Sequence, residues 1–424
     1  MIKAIRGTRD ILPPESGAFQ YVETLAREVF RVFNFDEIRT PIFESAELFA
    51  RSVGTETDIV SKEMYTFADR DETTLALRPE ATASVVRAFI ELQMSQEPGL
   101  KRFYYIGPMF RRERPQKGRY RQFYQIGAEV LGGDHPAIDA EVIEMVVEYL
   151  NRLGIRPFSL LLNSIGDSKC RPNFVKALKA AAGEVRDKLC ENCQRRLETN
   201  PLRVLDCKVE SCQPYINRFP SILEYLCADC QAHFSELRGL LDARGIAYQI
   251  TPRMVRGLDY YTRTTFEITS DLLGAQNSLL GGGRYDGLSE SIGGPPVKGI
   301  GFAIGLDRFV MVLTQIRPEL GMDRPQVYVA WLGTKTLSKA YELTRMLRRA
   351  GVRCAIEFDE MKLKKALSNA DRLKAAFVLI VGEDEIAKNK FGLKDMKGGS
   401  QVFLEERELV TRIQGAREGS AVPA

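Results

Sequence analysis

The sequence predicts an α+β protein: a strand-rich core interrupted by a helical module and followed by a small α/β domain. Three observations carry this. Residues 102–132, RFYYIGPMFRRERPQKGRYRQFYQIGAEVLG, read as two apolar strands joined by a long, strongly basic loop. Between 167 and 241 the texture changes to helical segments rich in Ala, Leu and charge. From 325 to 424 strand-like and helix-like stretches alternate, the pattern of a parallel or mixed sheet. The expected domains are a core over 1–323, interrupted by the module at 167–241, and a C-terminal domain over 325–424.

Taken in order, residues 1–15 form an extended entry ending in Pro13-Pro14, and Ser16 can cap the helix that follows. Phe19, Val22, Leu25, Ala26, Val29 and Phe30 recur at helical spacing through Phe33. A short strand at 37–40 ends at Pro41; this helix–strand unit suits either core packing or self-association. Residues 64–67 and 74–77 read as a hairpin. Arg78-Pro79-Glu80 opens a helix through Leu92. Glu80 is favoured near a helix start by the dipole; alternatively Glu80 and Thr82 project toward a ligand ammonium. A helix at 138–153 and a strand at 158–165 precede the module. After it come strands at 247–251, 253–258 and 264–269, and then a Gly-rich turn at 280–287. The stretch GIGFAIGLDR, 299–308, leads into a helix. Its glycines are spaced GxGxxxG, one residue too long for a dinucleotide fingerprint, which argues against a Rossmann fold. A linker follows Ile316, and the C-terminal strands and helices are expected at 327–332, 337–350, 353–358, 363–375 and 377–381.

The chain has 424 residues, 44% hydrophobic and 27% charged, the composition of a globular protein with more than one core. No apolar run reaches a membrane span, and the N-terminus lacks a signal-peptide h-region, so a cytoplasmic protein with no membrane partner is expected. The net charge is +4, while the segment from Pro325 onward carries +5. That excess is compatible with a polyanionic partner, and equally with a solvated surface of mixed charge. His135 and His233 are the only histidines. A Ser-His-Asp mechanism is therefore disfavoured, and catalysis by positioning and electrostatics, which needs no histidine, is favoured.

The basic loop holds six cations between Arg111 and Arg121, with Glu113 as the one acid. Guanidinium groups suit bidentate phosphate contacts. Along the next strand, Tyr124, Ile126, Ala128 and Val130 fall on one face, and Phe123, Gln125, Gly127 and Glu129 on the other. The second face is either a half-exposed strand surface or the floor of a site for an anionic ligand, with Gly127 leaving room for substrate. Arg256, in MVRGLDYYTRTTFE, is either a surface arginine or a guanidinium held over that site by a strand, with Tyr260 or Tyr261 offering a hydroxyl. Seven of the eight cysteines lie between 170 and 230. Cys190 and Cys193, with Cys227 and Cys230, are candidates for a four-thiolate structural Zn²⁺ site, Cys207 and Cys212 lying between the pairs. The alternative is that they are small buried hydrophobes.

FRRERPQKGRYRQFYQIGAEVLG resembles motif 2 of the class II aminoacyl-tRNA synthetases, GIGFAIGLDRF resembles motif 3, and the helix–strand ending at Pro41 resembles motif 1. LRPEAT and VRGLDYYTRTTFE resemble the two signatures of the histidyl-tRNA synthetase family. The resemblance covers essentially the whole chain. It implies a mostly antiparallel sheet flanked by helices. It implies that Arg111 and Arg256 hold the ATP α-phosphate as the carboxylate of L-histidine attacks, and that Phe123 and Arg308 sandwich the adenine. Glu113 also belongs to the ATP site, and Arg119 and Arg308 lie near the outer phosphates with Mg²⁺. Glu80, Thr82 and Gln125 take the ammonium of histidine, and Glu129 and Tyr261, beside Tyr260, read its imidazole. Arg114 and Gln116 reach the acceptor end of tRNA(His), the C-terminal domain binds the anticodon, and motif 1 builds a homodimer. The family does not need the cysteine pairs. The rival to a histidine–tRNA ligase is a non-catalytic, histidine-binding regulatory relative. Such a protein would be expected to lose Arg256, the basic loop or the C-terminal domain, and all three are present.

Overall fold

The structure, a computed structural model, describes residues 2–54, 57–114, 118–273 and 277–418. It divides into two compact units, Met1–Gly321 and Met322–Ala424.

The first unit is built on an eight-stranded sheet. Its order is Asp36–Glu37, Lys101–Phe110, Gln122–Leu131, Gly299–Gly305, Ser278–Arg284, Thr262–Thr269, Ser159–Ser164 and Gln249–Ile250. The outermost pairing on each side is parallel, and all those between are antiparallel. One face follows the alternation directly. Ile126, Ala128 and Val130 are buried with Val22, Phe30, Met145, Tyr149 and Phe309, from the helices Glu15–Val32, Pro136–Leu153 and Leu306–Ile316. Tyr124 packs edge-on against Phe19, with ring centroids 6.0 Å apart.

The opposite face lines two cavities, and its register explains why. One row across five strands reads Tyr105, Gly127, Ala303, Gly281, Glu267. The next reads Phe103, Glu129, Gly301, Gly283, Thr265. The centre of each row is therefore made of glycine and alanine, and the sheet there forms a trough.

Several local expectations are revised. The Gly-rich stretch after Leu280 is not a turn: Ser278–Arg284 is a central strand. Its glycines are set by close approach of neighbours rather than by chain reversal, since a Cβ on Gly282 would meet Gly301 O at 2.4 Å. Residues 253–258 are turns and irregular backbone, not a strand. The first helix is preceded by Pro14 rather than capped by Ser16, and the strand after it is only Asp36–Glu37.

The module contains the helices Arg171–Gly183, Glu191–Thr199 and Ala228–Ala243 joined by short turns. Phe174, Leu178, Cys193, Leu197, Ile216 and Phe219 form a separate small core with Tyr261. The last of these helices buries Phe234, Leu237 and Leu241 in the main core instead.

The second unit has a five-stranded mixed sheet in the order Cys354–Ile356, Val327–Trp331, Phe377–Val381, Phe391–Asp395, Gln401–Leu404. The first three strands are mutually parallel and the last two antiparallel. Val327–Trp331 and Phe377–Val381 are buried throughout, as continuous apolar strands covered on both faces must be.

Candidate active site

Two contiguous cavities occupy the trough. The inner one, about 200 Å³, is lined by Glu80, Thr82, Tyr105, Tyr260, Tyr261 and Tyr285 among others. The outer one, about 270 Å³, is lined by Glu113, Arg119, Tyr120, Phe123 and Arg308. Arg111, Gln125, Arg256, Gly281 and Ala303 line both, so these residues form the wall the two share. A larger groove of about 890 Å³ lies elsewhere, beside Glu144, Glu148, Arg152 and Arg244. Those charges pair with one another, and none of the predicted site residues is there.

Each side chain is held by a different element. Glu80 caps the helix Thr82–Glu91: its carboxylate accepts the backbone N–H groups of Thr82 at 2.7 Å and Ala83 at 3.0 Å. Burial raises its pKa, and those two donors oppose the shift. Glu80 therefore both caps a helix and lines the inner cavity. Thr82 Oγ1 donates to Glu129 Oε1 at 2.6 Å, and Tyr285 Oη donates to Oε2 at 2.6 Å. Glu129 is 1% exposed and does not itself line the cavity, although both of its partners do. Burial pushes its pKa up to about 8, against the two hydroxyl donors.

Arg256 pairs with Glu267 at 2.5 Å and rests directly over Gly281, where a Cβ would lie 1.9 Å from Nη2 and 2.2 Å from Cζ. The irregular backbone that carries Arg256 is braced by the module, because Arg203 Nη1 donates to Arg256 O at 3.3 Å. Arg111 Nε donates to Pro79 O at 3.0 Å, and its guanidinium lies 5.3 Å from the Phe123 ring centre. Arg119 reaches Glu113 at 3.1 Å, and Arg308 Nη1 donates to Ser278 O at 2.8 Å. Gln125 Oε1 and Arg256 Nε are buried without hydrogen-bond partners among the described residues, as expected of atoms that a ligand would satisfy.

The structure thus brings together Glu80, Thr82, Arg111, Glu113, Arg119, Phe123, Gln125, Arg256, Tyr260, Tyr261 and Arg308 around one trough, with Glu129 directly behind it. Arg114 is exposed and lines neither cavity, and Gln116 lies outside the described residues. The space at Gly127 is not free for substrate. The Tyr105 ring fills it, and a Cβ there would meet Tyr105 Oη at 2.3 Å. The cysteine expectation is also corrected. Cys190 and Cys193 group with Cys207 and Cys212, whereas Cys227 and Cys230 group with Cys170 and Asp167. Tyr285, Gly281 and Glu267 were not singled out as site residues from the sequence. The string GGGRYDG was the available signal for the first two.

Residues 7–309 match the family model for histidyl-tRNA synthetase, and residues 326–416 match that for an anticodon binding domain. A histidine–tRNA ligase of Solibacter usitatus is 55% identical over 98% of this chain and all of its own length. One from Koribacter versatilis is 53% identical over 99% of this chain and 98% of its own. Among solved structures, apo histidyl-tRNA synthetase of S. aureus superposes with a TM-score of 0.82 at 36% identity, covering 98% of this chain and all of that one. This chain therefore belongs to the histidyl-tRNA synthetase family.

Proposed function

We propose that the protein is a histidine–tRNA ligase that activates L-histidine with ATP and transfers it to the 3′ end of tRNA(His). The observation that carries the chemistry is the shared wall: an acceptor-rich inner cavity and an arginine-rich outer one meet at Arg111, Gln125 and Arg256. Histidine occupies the inner cavity. Its ammonium meets Glu80, Thr82 and the unpaired Gln125 Oε1; its imidazole is read by Tyr260, Tyr261 and Glu129, the last acting from behind Thr82 and Tyr285. A substrate lacking the imidazole N–H leaves buried acceptors unpaired, which is a strong basis for rejection.

ATP occupies the outer cavity, with its adenine between Phe123 and Arg308 and its outer phosphates near Arg119. A carboxylate oxygen of histidine attacks the α-phosphorus and the bond to the bridging oxygen breaks, releasing pyrophosphate. Arg111 and Arg256 stabilise the charge that accumulates on the pentavalent centre. The terminal ribose hydroxyl of tRNA then attacks the carbonyl carbon and AMP leaves. Glu113 and Glu267 border the trough and suit Mg²⁺, which takes oxygen ligands from one or two carboxylates together with substrate phosphates. Bound there, Mg²⁺ neutralises phosphate charge.

Arg114 and Gln116 serve the acceptor end, and the second unit serves the anticodon. A homodimer is supported by apolar side chains left exposed near the motif 1 region and a three-stranded sheet of Phe43–Ser45, Thr74–Leu77 and Tyr65–Ala68, namely Ile42, Phe43 and Phe67. A cytoplasmic location accords with the described residues, where no helix is long and apolar enough to cross a membrane. The regulatory-relative reading finds no support among curated relatives at 45–55% identity, which are histidine–tRNA ligases. The test is histidine-dependent ATP–pyrophosphate exchange without tRNA. Exchange is expected with histidine alone among the amino acids, and folded protein giving none above background rejects the ligase reading.

A further inference from the structure

The geometry points to a structural zinc ion held by Cys190, Cys193, Cys207 and Cys212 in the helical module. The four Sγ atoms lie within 4.8 Å of one another, and three of the four residues are buried. Cys190 Sγ and Cys207 Sγ are 3.9 Å apart. A disulfide needs about 2.05 Å. Four sulfurs placed about 2.3 Å from a tetrahedral ion are roughly 3.8 Å from each other. The observed separation is therefore that of an edge of a ZnS₄ tetrahedron and far from that of a covalent bond.

The backbone around the sulfurs is arranged as a metal site requires. Cys190 precedes the helix Glu191–Thr199 and Cys193 sits in its first turn, so one short turn presents two sulfurs to one point. The second pair comes from the compact turns after Pro201–Val204. Cys190 N–H donates to Cys212 Sγ at 3.2 Å, and Val209 N–H donates to Cys207 Sγ at 3.4 Å. Such donors orient thiolate ligands and offset their charge. The module also has reason to be stapled, because its separate core is small.

The second cysteine group differs. It has three sulfurs and Asp167, whose Oδ1 already accepts the backbone N–H groups of Lys169 at 3.0 Å and Cys170 at 3.3 Å. The four-thiolate group is linked to Arg256 through two successive hydrogen bonds. Arg196 Nη1, from the cysteine-bearing helix, donates to Arg203 O at 3.2 Å, and Arg203 reaches Arg256 O. Asn200 Nδ2 in the same segment donates to Asp259 at 2.8 Å.

The experiment is elemental analysis of full-length protein purified without chelators, beside Cys207→Ser and Cys227→Ser variants. The expected result is about one zinc per chain lost in Cys207→Ser and kept in Cys227→Ser. Should Cys207→Ser fail to fold, cobalt exchanged into the unmutated protein gives the second reading. Intense visible bands of tetrahedral thiolate cobalt, discharged by a thiol-blocking mercurial, are expected. Zinc below a tenth of an equivalent with no cobalt spectrum overturns the inference. So does a zinc ion lost from Cys227→Ser but retained in Cys207→Ser.

Discussion

Gly281→Ala is a substitution of one methyl group that should separate folding from catalysis. The added Cβ would stand 1.9 Å from Arg256 Nη2, 2.2 Å from Cζ and 2.8 Å from Nη1. Restoring an ordinary 3.4 Å contact moves the guanidinium by about 1.5 Å. The clash is with the far end of a long side chain and not with backbone, so Arg256 yields and the strand survives. Alanine in a strand interior also recovers about 0.5–1 kcal/mol relative to glycine. Misplacing a catalytic group by about 1 Å costs on the order of 10²-fold in rate, or about 2.7 kcal/mol. The expected outcome is therefore pyrophosphate exchange lowered on the order of 100-fold, with thermal stability unchanged or slightly raised. Gly287→Ala is the control, because a Cβ there meets nothing within 4 Å. If Gly281→Ala exchanges at the wild-type rate, Arg256 does not act from the position over Gly281.

Two further outcomes follow from the buried carboxylate. Glu129→Gln removes a group whose pKa stands near 8 when folded and near 4.5 when unfolded. A raised folded pKa contributes stability that is fully present below the unfolded value and is lost as pH rises toward 8. Wild-type stability should therefore fall relative to Glu129→Gln across that window, by up to about 1.4 kcal/mol per pH unit; parallel melting-temperature profiles for the two proteins would contradict this. Gly301→Ala would put a Cβ 1.7 Å from Glu129 Oε2 and 2.6 Å from Ala128 O, and backbone cannot yield as a side-chain tip can. It should destabilise the first unit by about 1–3 kcal/mol, a drop of several degrees by calorimetry; an unchanged melting temperature would show that the rows are not packed as described.

What the sequence revealed depended on how local each signal was. The alternation from Phe123 to Glu129 is a period-two pattern inside one strand, and the structure sets Phe123 and Gln125 of that face against the cavities. Which groups satisfy Glu129 was not legible, because Thr82 and Tyr285 lie 47 and 156 residues away. The Gly-rich stretch after Leu280 reads as a turn by composition. Its true cause is the approach of Arg256 and Phe302 from other strands and segments. Cysteine spacing showed two Cys-x-x-Cys pairs but not their partners. Cys190 and Cys193 group with Cys207 and Cys212, the farthest pairing Cys190–Cys212 spanning 22 residues, whereas Cys227 and Cys230 group with Asp167 and Cys170, Cys170–Cys230 spanning 60. Arg253–Leu258 carries strand-like residues, yet tertiary contacts such as Arg203 to Arg256 O fix an irregular path there.

The row Tyr105, Gly127, Ala303, Gly281, Glu267 also limits how this protein could be redesigned. A binding site is usually enlarged by trimming side chains beneath the ligand. Here the centre of the row is already glycine and alanine, so at Gly127, Ala303 and Gly281 almost nothing remains to remove. If the inner cavity holds the amino acid as proposed, a variant that accepts a bulkier one has to gain its space from the surrounding side chains, such as Tyr105, Tyr260, Tyr261 or Leu258. The centre of the sheet acts as a fixed datum from which substrate size is measured, and only the surrounding rim is adjustable.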